Sequence, residues 1–411
     1  MEIGFVSFNQ EALNRANKVM KLLQGQGAID ELGLGRIRDA FSNTMFPGMS
    51  VLQTHAKYFL LMPALYAYLE KTRIADVREA RAIVREQEIK LTYRLIEGSS
   101  KDTTGIIGAD MLKESRGAKY VKYDPAYVYQ AGMETYGLIP QGGNTYAILA
   151  ERSAIYQNMP KKHKGTEENG DDSDDLTGNP QIFKTCGIYY DFNSKAQLSI
   201  ALESKEAEFL KQQIVTNTYG SLLSYLLDSG LYERITESEL YFDNDNLGKL
   251  LKDNVPDELY LTYNLALRYS RFAYLLRLRY AMQYDILVGA KESAEIEAAE
   301  FSRLLTKYAH EFTPDSINEI IQFVSSKVTE ESCKLFIKKS AQLITEKNFD
   351  ELDRQIVLRE KTIKGLKRSK LLNYKDMPQG KPFESPKPMA YRWNTIVRTV
   401  LSEIKEGLRN E

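Results

Sequence analysis

Along most of the chain, apolar positions recur at helical rather than strand spacing. In "DELGLGRIRDAFSNTMF", Ile37, Phe41 and Met45 fall at four-residue steps and predict a helix ended by Pro47-Gly48. Ser50 is expected to cap a second helix, with Leu52, Phe59, Met62, Leu65 and Leu69 on one face and Pro63 as a candidate kink. A charged amphipathic helix follows from about 74 to 97. In it Glu86 and Lys90 are a favourable four-residue pair, and Arg81 and Arg85 a repulsive one. Residues 105 to 139 carry tyrosines at 120, 123, 127, 129 and 136, with Asp124 as a helix cap and Pro125 in the first turn.

From about 203 to 371 the pattern is helical nearly throughout. Its strongest stretch is "LTYNLALRYSRFAYLLRLRYAMQYDILVG", stopped by Gly289. A loop with four prolines is expected at 373 to 390, and a closing helix puts Trp393, Ile396, Val400 and Ile404 at core spacing. Strand signals are few: Ile3 to Phe8 ahead of a helix at 10 to 24, "NTYAILAE" at 144 to 151, and an extended "IFKTCGIYYDF". The expected class is mainly α. A helical amino-terminal region (1–160) would hold a helix-turn-helix-like hairpin at 35–70 and a small winged-helix-like unit at 103–150, and a helical carboxy-terminal region (182–411) would follow.

Between them lies "KKHKGTEENGDDSDDLTGNPQ", 161 to 181, basic and then acidic, with Leu176 its only apolar residue. Such a stretch buries too little to fold and is expected to be a disordered insertion. Over the 411 residues, 55 Lys and Arg balance 56 Asp and Glu, so any nucleic-acid surface must be a local patch. Cys186 and Cys333 form no CxxC, and His55, His163 and His310 are far apart, so no metal site or cofactor is expected. The longest apolar run, 58 to 69, is too short to span a bilayer, and no secretion signal is read at the amino terminus. A cytoplasmic protein is expected.

Three stretches are candidates for contact. In the opening hairpin, Ser50, Gln53, Thr54 and Lys57 would face base edges of DNA. However, Tyr58 to Leu61 are consecutive aromatics and aliphatics, which suits a hairpin that closes a core better. Arg116, Lys119 and Lys122 alternate with Tyr120, Tyr123 and Tyr127, a mixture that suits phosphates and stacked bases, although half-buried structural tyrosines give the same pattern. Lys361, Lys364, Lys367 and Arg368 are expected along one side of a helix. From Arg354 to Lys405 there are 13 Lys or Arg against 4 Asp or Glu, the strongest local footprint for phosphate or an acidic partner, set against the common case of a solvated face. No GxxxxGK[ST], GxSxG or HExxH occurs. Asp191 followed by Glu203-Ser204-Lys205 loosely meets the spacing of a metal-dependent nuclease, but the second element reads better as a helix start.

Five blocks, "DELGLGRIRDAFSNTMFPGMSVLQTHAKYFLL", "GIIGADMLKESRGAKYVKYDPAYVYQAGMETYGLI", "SKEAEFLKQQIVTNTYGSLLSYLL", "LREKTIKGLKRSKLLN" and "YRWNTIVRTVLSEIKEGL", resemble in this order the bacterial family DUF6361. By this resemblance, relatives typically carry arginine where this chain has His55, and "SxYWAGL" where it has "AYVYQAGM". The resemblance implies no activity. It implies membership of multi-gene prokaryotic loci near helicases and DNA-modifying or DNA-cutting proteins, hence an accessory role in antiphage defence. The expectation is therefore a non-enzymatic subunit that binds DNA, a helicase or nuclease partner, or both. The alternatives are a nuclease using Asp191, Glu203 and Lys205, and a pure protein-interaction scaffold.

Overall fold

The computed structural model describes residues 30–99, 102–158, 181–236, 240–243 and 245–409. These hold sixteen α-helices and no strand. In chain order they are α1 Gly35–Met45, α2 Tyr58–Leu69, α3 Val77–Gly98, α4 Ala109–Glu114, α5 Pro125–Thr135, α6 Thr145–Asn158, α7 Ser204–Asn217 and α8 Leu222–Asp228. There follow α9 Leu231–Thr236, α10 Asp245–Asn254, α11 Asp257–Val288, α12 Lys291–Tyr308, α13 Pro314–Val324, α14 Glu331–Thr345, α15 Phe349–Lys364 and α16 Arg398–Arg409. The helical class holds, but the candidate strand at 144–151 is the start of α6. A winged helix needs strands for its wing, so none is present among the described residues. The strand at 3–8, the helix at 10–24 and the insertion at 161–181, except residue 181, lie outside the described residues.

The chain divides into two compact units that interleave in sequence. The described residues of 46–236 and 392–409 form the first, and those of 30–45 and 240–391 the second. In the first unit, α2 is apolar all round and buries ten of its twelve residues, as a central helix must; it runs through Pro63 without interruption. Phe59 of α2 meets Tyr129 and Tyr136 at ring-centroid distances of 4.8 and 5.0 Å. The carboxy-terminal α16 packs on α7 and α9 with Val400, Leu401 and Ile404 fully buried. Trp393 is also fully buried, 5.6 Å from Phe46.

In the second unit the 32-residue α11 is the axis, and it ends where Gly289 adopts a left-handed φ of 83°. It packs along α12 and also against α1, α13 and α15. Arg279 grips both oxygens of Asp353 on α15 at 2.6 and 2.8 Å. The Tyr269 hydroxyl donates to the Leu34 carbonyl at 2.7 Å.

The segment between α1 and α2 departs from the expected hairpin. The second helix starts at Tyr58, not at Ser50. Gln53 binds the chain into turns, its amide donating to the Gly48 carbonyl at 3.0 Å and accepting from the Ser50 N–H at 2.8 Å. These side-chain bonds satisfy backbone groups that a helix would otherwise use. Residues 46–57, a run of turns and bends, thus separate α1 from α2.

Candidate nucleic-acid interface

A seam of tyrosines and cations runs along the first unit between α3 and the loop before α5. Arg85 of α3 donates to the carbonyls of Tyr120 and Val121 at 3.4 and 3.1 Å and to Asp124 at 3.2 Å, and its guanidinium lies 5.3 Å from the Tyr120 ring centre. One turn earlier, Arg81 lies 5.2 Å from the Tyr146 ring. The two arginines read as a repulsive pair are thus each placed over a tyrosine face. Asp124 caps α5 through the Tyr127 N–H at 3.0 Å, with Pro125 in the first turn as expected. This cap fixes the register in which Tyr123 and Tyr127 stack at 5.3 Å, and the Lys122 ammonium lies 5.5 Å from the Tyr123 ring.

Arg116, Lys119 and Lys122 are all exposed on this loop. Ser115 holds its bend by donating to the Lys119 carbonyl and accepting from its N–H, at 3.2 and 3.0 Å. Arg116 and Gly117 both take left-handed φ, and a side chain at Gly117 would collide with the Tyr93 hydroxyl. The turn that presents Arg116 therefore sits against exposed Tyr93 of α3. Beneath the seam, Glu88 accepts from the Ala126 N–H at 2.6 Å while its other oxygen has no partner. Burial, with Asp124 nearby, pushes its pKa well above the usual carboxylate range. Tyr129 and Tyr136, by contrast, are core. Sequence reasoning placed Arg116, Lys119 and Lys122 here but missed Arg81, Arg85, Tyr93 and Tyr146, whose partners are distant in sequence. The like-charge pair at 81 and 85 was the available signal.

The carboxy-terminal cations separate. Lys361, Lys367 and Arg368 are exposed, whereas the Lys364 side chain is 3% exposed and pairs with Glu31 at 2.8 Å and Glu360 at 3.3 Å. Glu360 also accepts from Ser369 and Tyr280, both at 2.6 Å, and from the N–H groups of Lys370 and Leu371. Burial alone would raise its pKa, but these bonds outweigh burial and hold it below the ordinary value. Lys364 thus leaves the expected contact set, because the core stripe of α15 through Leu352, Ile356 and Glu360 continues to it.

The remaining candidates have internal uses. Lys57 is buried in an ion pair with Glu206, which also accepts from Tyr190, and donates to the Ala201 carbonyl at 3.2 Å. Gln53 is buried as well, so neither faces a base edge. Asp191 closes a turn by accepting from the N–H groups of Asn193 and Ser194 at 2.9 and 3.2 Å, and Glu203 caps α7 in a reciprocal box with Glu206. Lys205 is exposed on the first turn of α7. No group of three or more His, Cys, Asp or Glu among the described residues is arranged to hold a metal ion. Nor is any described helix long and apolar enough to cross a membrane.

His55 occupies a hollow of about 250 Å³ walled by Thr54, Thr104, Thr395 and Thr399. Its Nδ1 meets Glu403 and its Nε2 the Thr104 carbonyl at 2.9 Å, two acceptors that only the imidazolium can satisfy together.

No curated protein and no solved structure matches the chain. The model of a family of unknown function, DUF6361, matches residues 2–398, and the chain belongs to that family.

Proposed function

We propose that this DUF6361 member is a non-enzymatic accessory subunit of a prokaryotic defence assembly, and that the tyrosine–cation seam of its first unit contacts DNA. The observation that carries the reading is the stacked Tyr123–Tyr127 pair flanked by exposed Lys122, Lys119 and Arg116. Cations neutralise phosphates while ring faces accept unstacked bases, and stacking works on any base sequence. Lys361, Lys367 and Arg368 serve a helicase or nuclease partner. The defence setting rests on the family resemblance.

The test is binding of the purified chain to labelled single-stranded and duplex DNA across a salt series. The Arg116→Ala/Lys119→Ala/Lys122→Ala protein should bind more weakly and lose about two to three units of the log–log salt slope, the loss for three phosphate contacts. Tyr123→Ala/Tyr127→Ala should weaken the single strand more than the duplex, by about 1–3 kcal/mol per stacked base. Absence of binding by the unaltered chain at low salt would sink the proposal.

A further inference from the structure

The outer surface of the second unit at the end of α15 carries large aliphatic side chains among its cations. Leu358, Leu366 and Leu372 are 52%, 61% and 42% exposed, within the stretch that also exposes Lys361, Lys367 and Arg368. Single exposed leucines need no explanation, but here three lie within fifteen residues, interspersed with three exposed cations. The only acid between 358 and 372 is Glu360, which is buried and saturated with hydrogen bonds. Lys361 and Lys367 have no ion-pair partner among the described residues.

The surface is also held in shape. After the Gly365 cap, Asn373 donates to the carbonyls of Leu366 and Ser369 at 2.6 and 2.8 Å, and Arg368 Nε donates to the Lys364 carbonyl at 3.0 Å. Ser369 is tied to buried Glu360 at 2.6 Å. A loop fixed in this way loses little conformational freedom when something docks on it.

We propose that this surface docks an acidic, leucine-bearing amphipathic helix of a protein partner. Apolar side chains of such a helix cover Leu358, Leu366 and Leu372, and its carboxylates meet Lys361, Lys367 and Arg368. A phosphate backbone would satisfy the cations but leave the leucines uncovered, and the burial of Lys364 removes the unbroken row of cations a phosphate track would use. The inference deepens the accessory-subunit reading and is independent of the DNA seam.

The experiment pans a displayed library of random sixteen-residue peptides on the full chain and measures the enriched peptides against three proteins. These are Leu358→Ser/Leu366→Ser, Lys361→Glu/Lys367→Glu/Arg368→Glu, and the seam variant Arg116→Ala/Lys119→Ala/Lys122→Ala. Enriched peptides should carry Leu and Asp or Glu at three- and four-residue spacing. They should bind the first two proteins at least about tenfold more weakly and the seam variant unchanged. Enrichment of basic peptides, or of none sensitive to the first two variants, overturns the proposal. So does a charge reversal that abolishes DNA binding without any peptide dependence on the leucines. Circular dichroism melting checks each protein; if the leucine pair melts early, Leu366→Ser alone takes its place. Loss of DNA binding in the seam variant with peptide binding intact keeps the two proposals separable.

Discussion

At the scale of the residue, two titratable groups link this structure to pH. Burial alone would lower the His55 pKa, but the hydrogen bond and charge of Glu403, the Thr104 carbonyl and more distant Asp102 raise it above 6.5. A group raised on folding stabilises fully below its unfolded value and loses that contribution as pH rises through the folded one. The melting-temperature advantage of the natural chain over His55→Gln should therefore be largest below about pH 6.5 and shrink above it. His55→Arg, which cannot deprotonate, should flatten the profile. An advantage that grows with pH would refute the imidazolium assignment.

Glu297 of α12 behaves in the same sense for a different reason. Both its oxygens are buried without a partner, and burial, with Asp285 beside it, raises its pKa to about 8. Its contribution is thus present below about 4.5 and lost as pH rises towards 8. Glu297→Met should stabilise the protein by about 1–3 kcal/mol near neutrality, more at higher pH, as removal of an unsatisfied buried group predicts. Chemical denaturation at two pH values measures it.

Elements decide what a charge is for. Lys361 and Lys364 are three residues apart on one helix, yet the first faces solvent and the second closes a buried network with Glu31 and Glu360. Lys364→Ala should cost about 3–5 kcal/mol of stability, the usual penalty for stranding a buried charge, whereas Lys361→Ala should change stability by less than about 0.5 kcal/mol. Equal melting temperatures for the two would show that Lys364 is not structural. Periodicity showed that α15 exists, and the stripe of Leu352, Ile356 and Glu360 was there to be extended. A basic residue on a core stripe is still not expected until its acid is found, and Glu31 lies more than three hundred residues away in sequence. In contrast, the Asp124–Pro125 start, the Gly289 stop and the Glu86–Lys90 pair at 2.7 Å were all legible, because each depends on residues within one turn.

At the scale of the whole molecule, the first unit is completed by the far end of the chain. Removing residues 392–411 takes away Trp393, Ile396, Val400, Leu401 and Ile404, all essentially buried in that unit. At about 1.5–3 kcal/mol per side chain the loss rivals the whole stability of a typical domain. Chain 1–391 should lose hydrogen-exchange protection in α2, α5 and α7, and a truncated protein that kept it would contradict this account. The sequence by itself determined the helical class, the Asp124–Pro125 start of α5, the Gly289 stop of α11, and which stretches are rich in cations and tyrosine, since all of these follow from spacing within a few residues. Only the tertiary structure decided that Arg81 and Arg85 face tyrosines, that Lys57 and Lys364 are internal, that 46–57 is a chain of turns, and that residues 30–45 and 46–236 belong to two different interleaved units. Those outcomes depend on partners distant in sequence, and a buried charge or an exposed leucine takes its meaning from the group that packs against it.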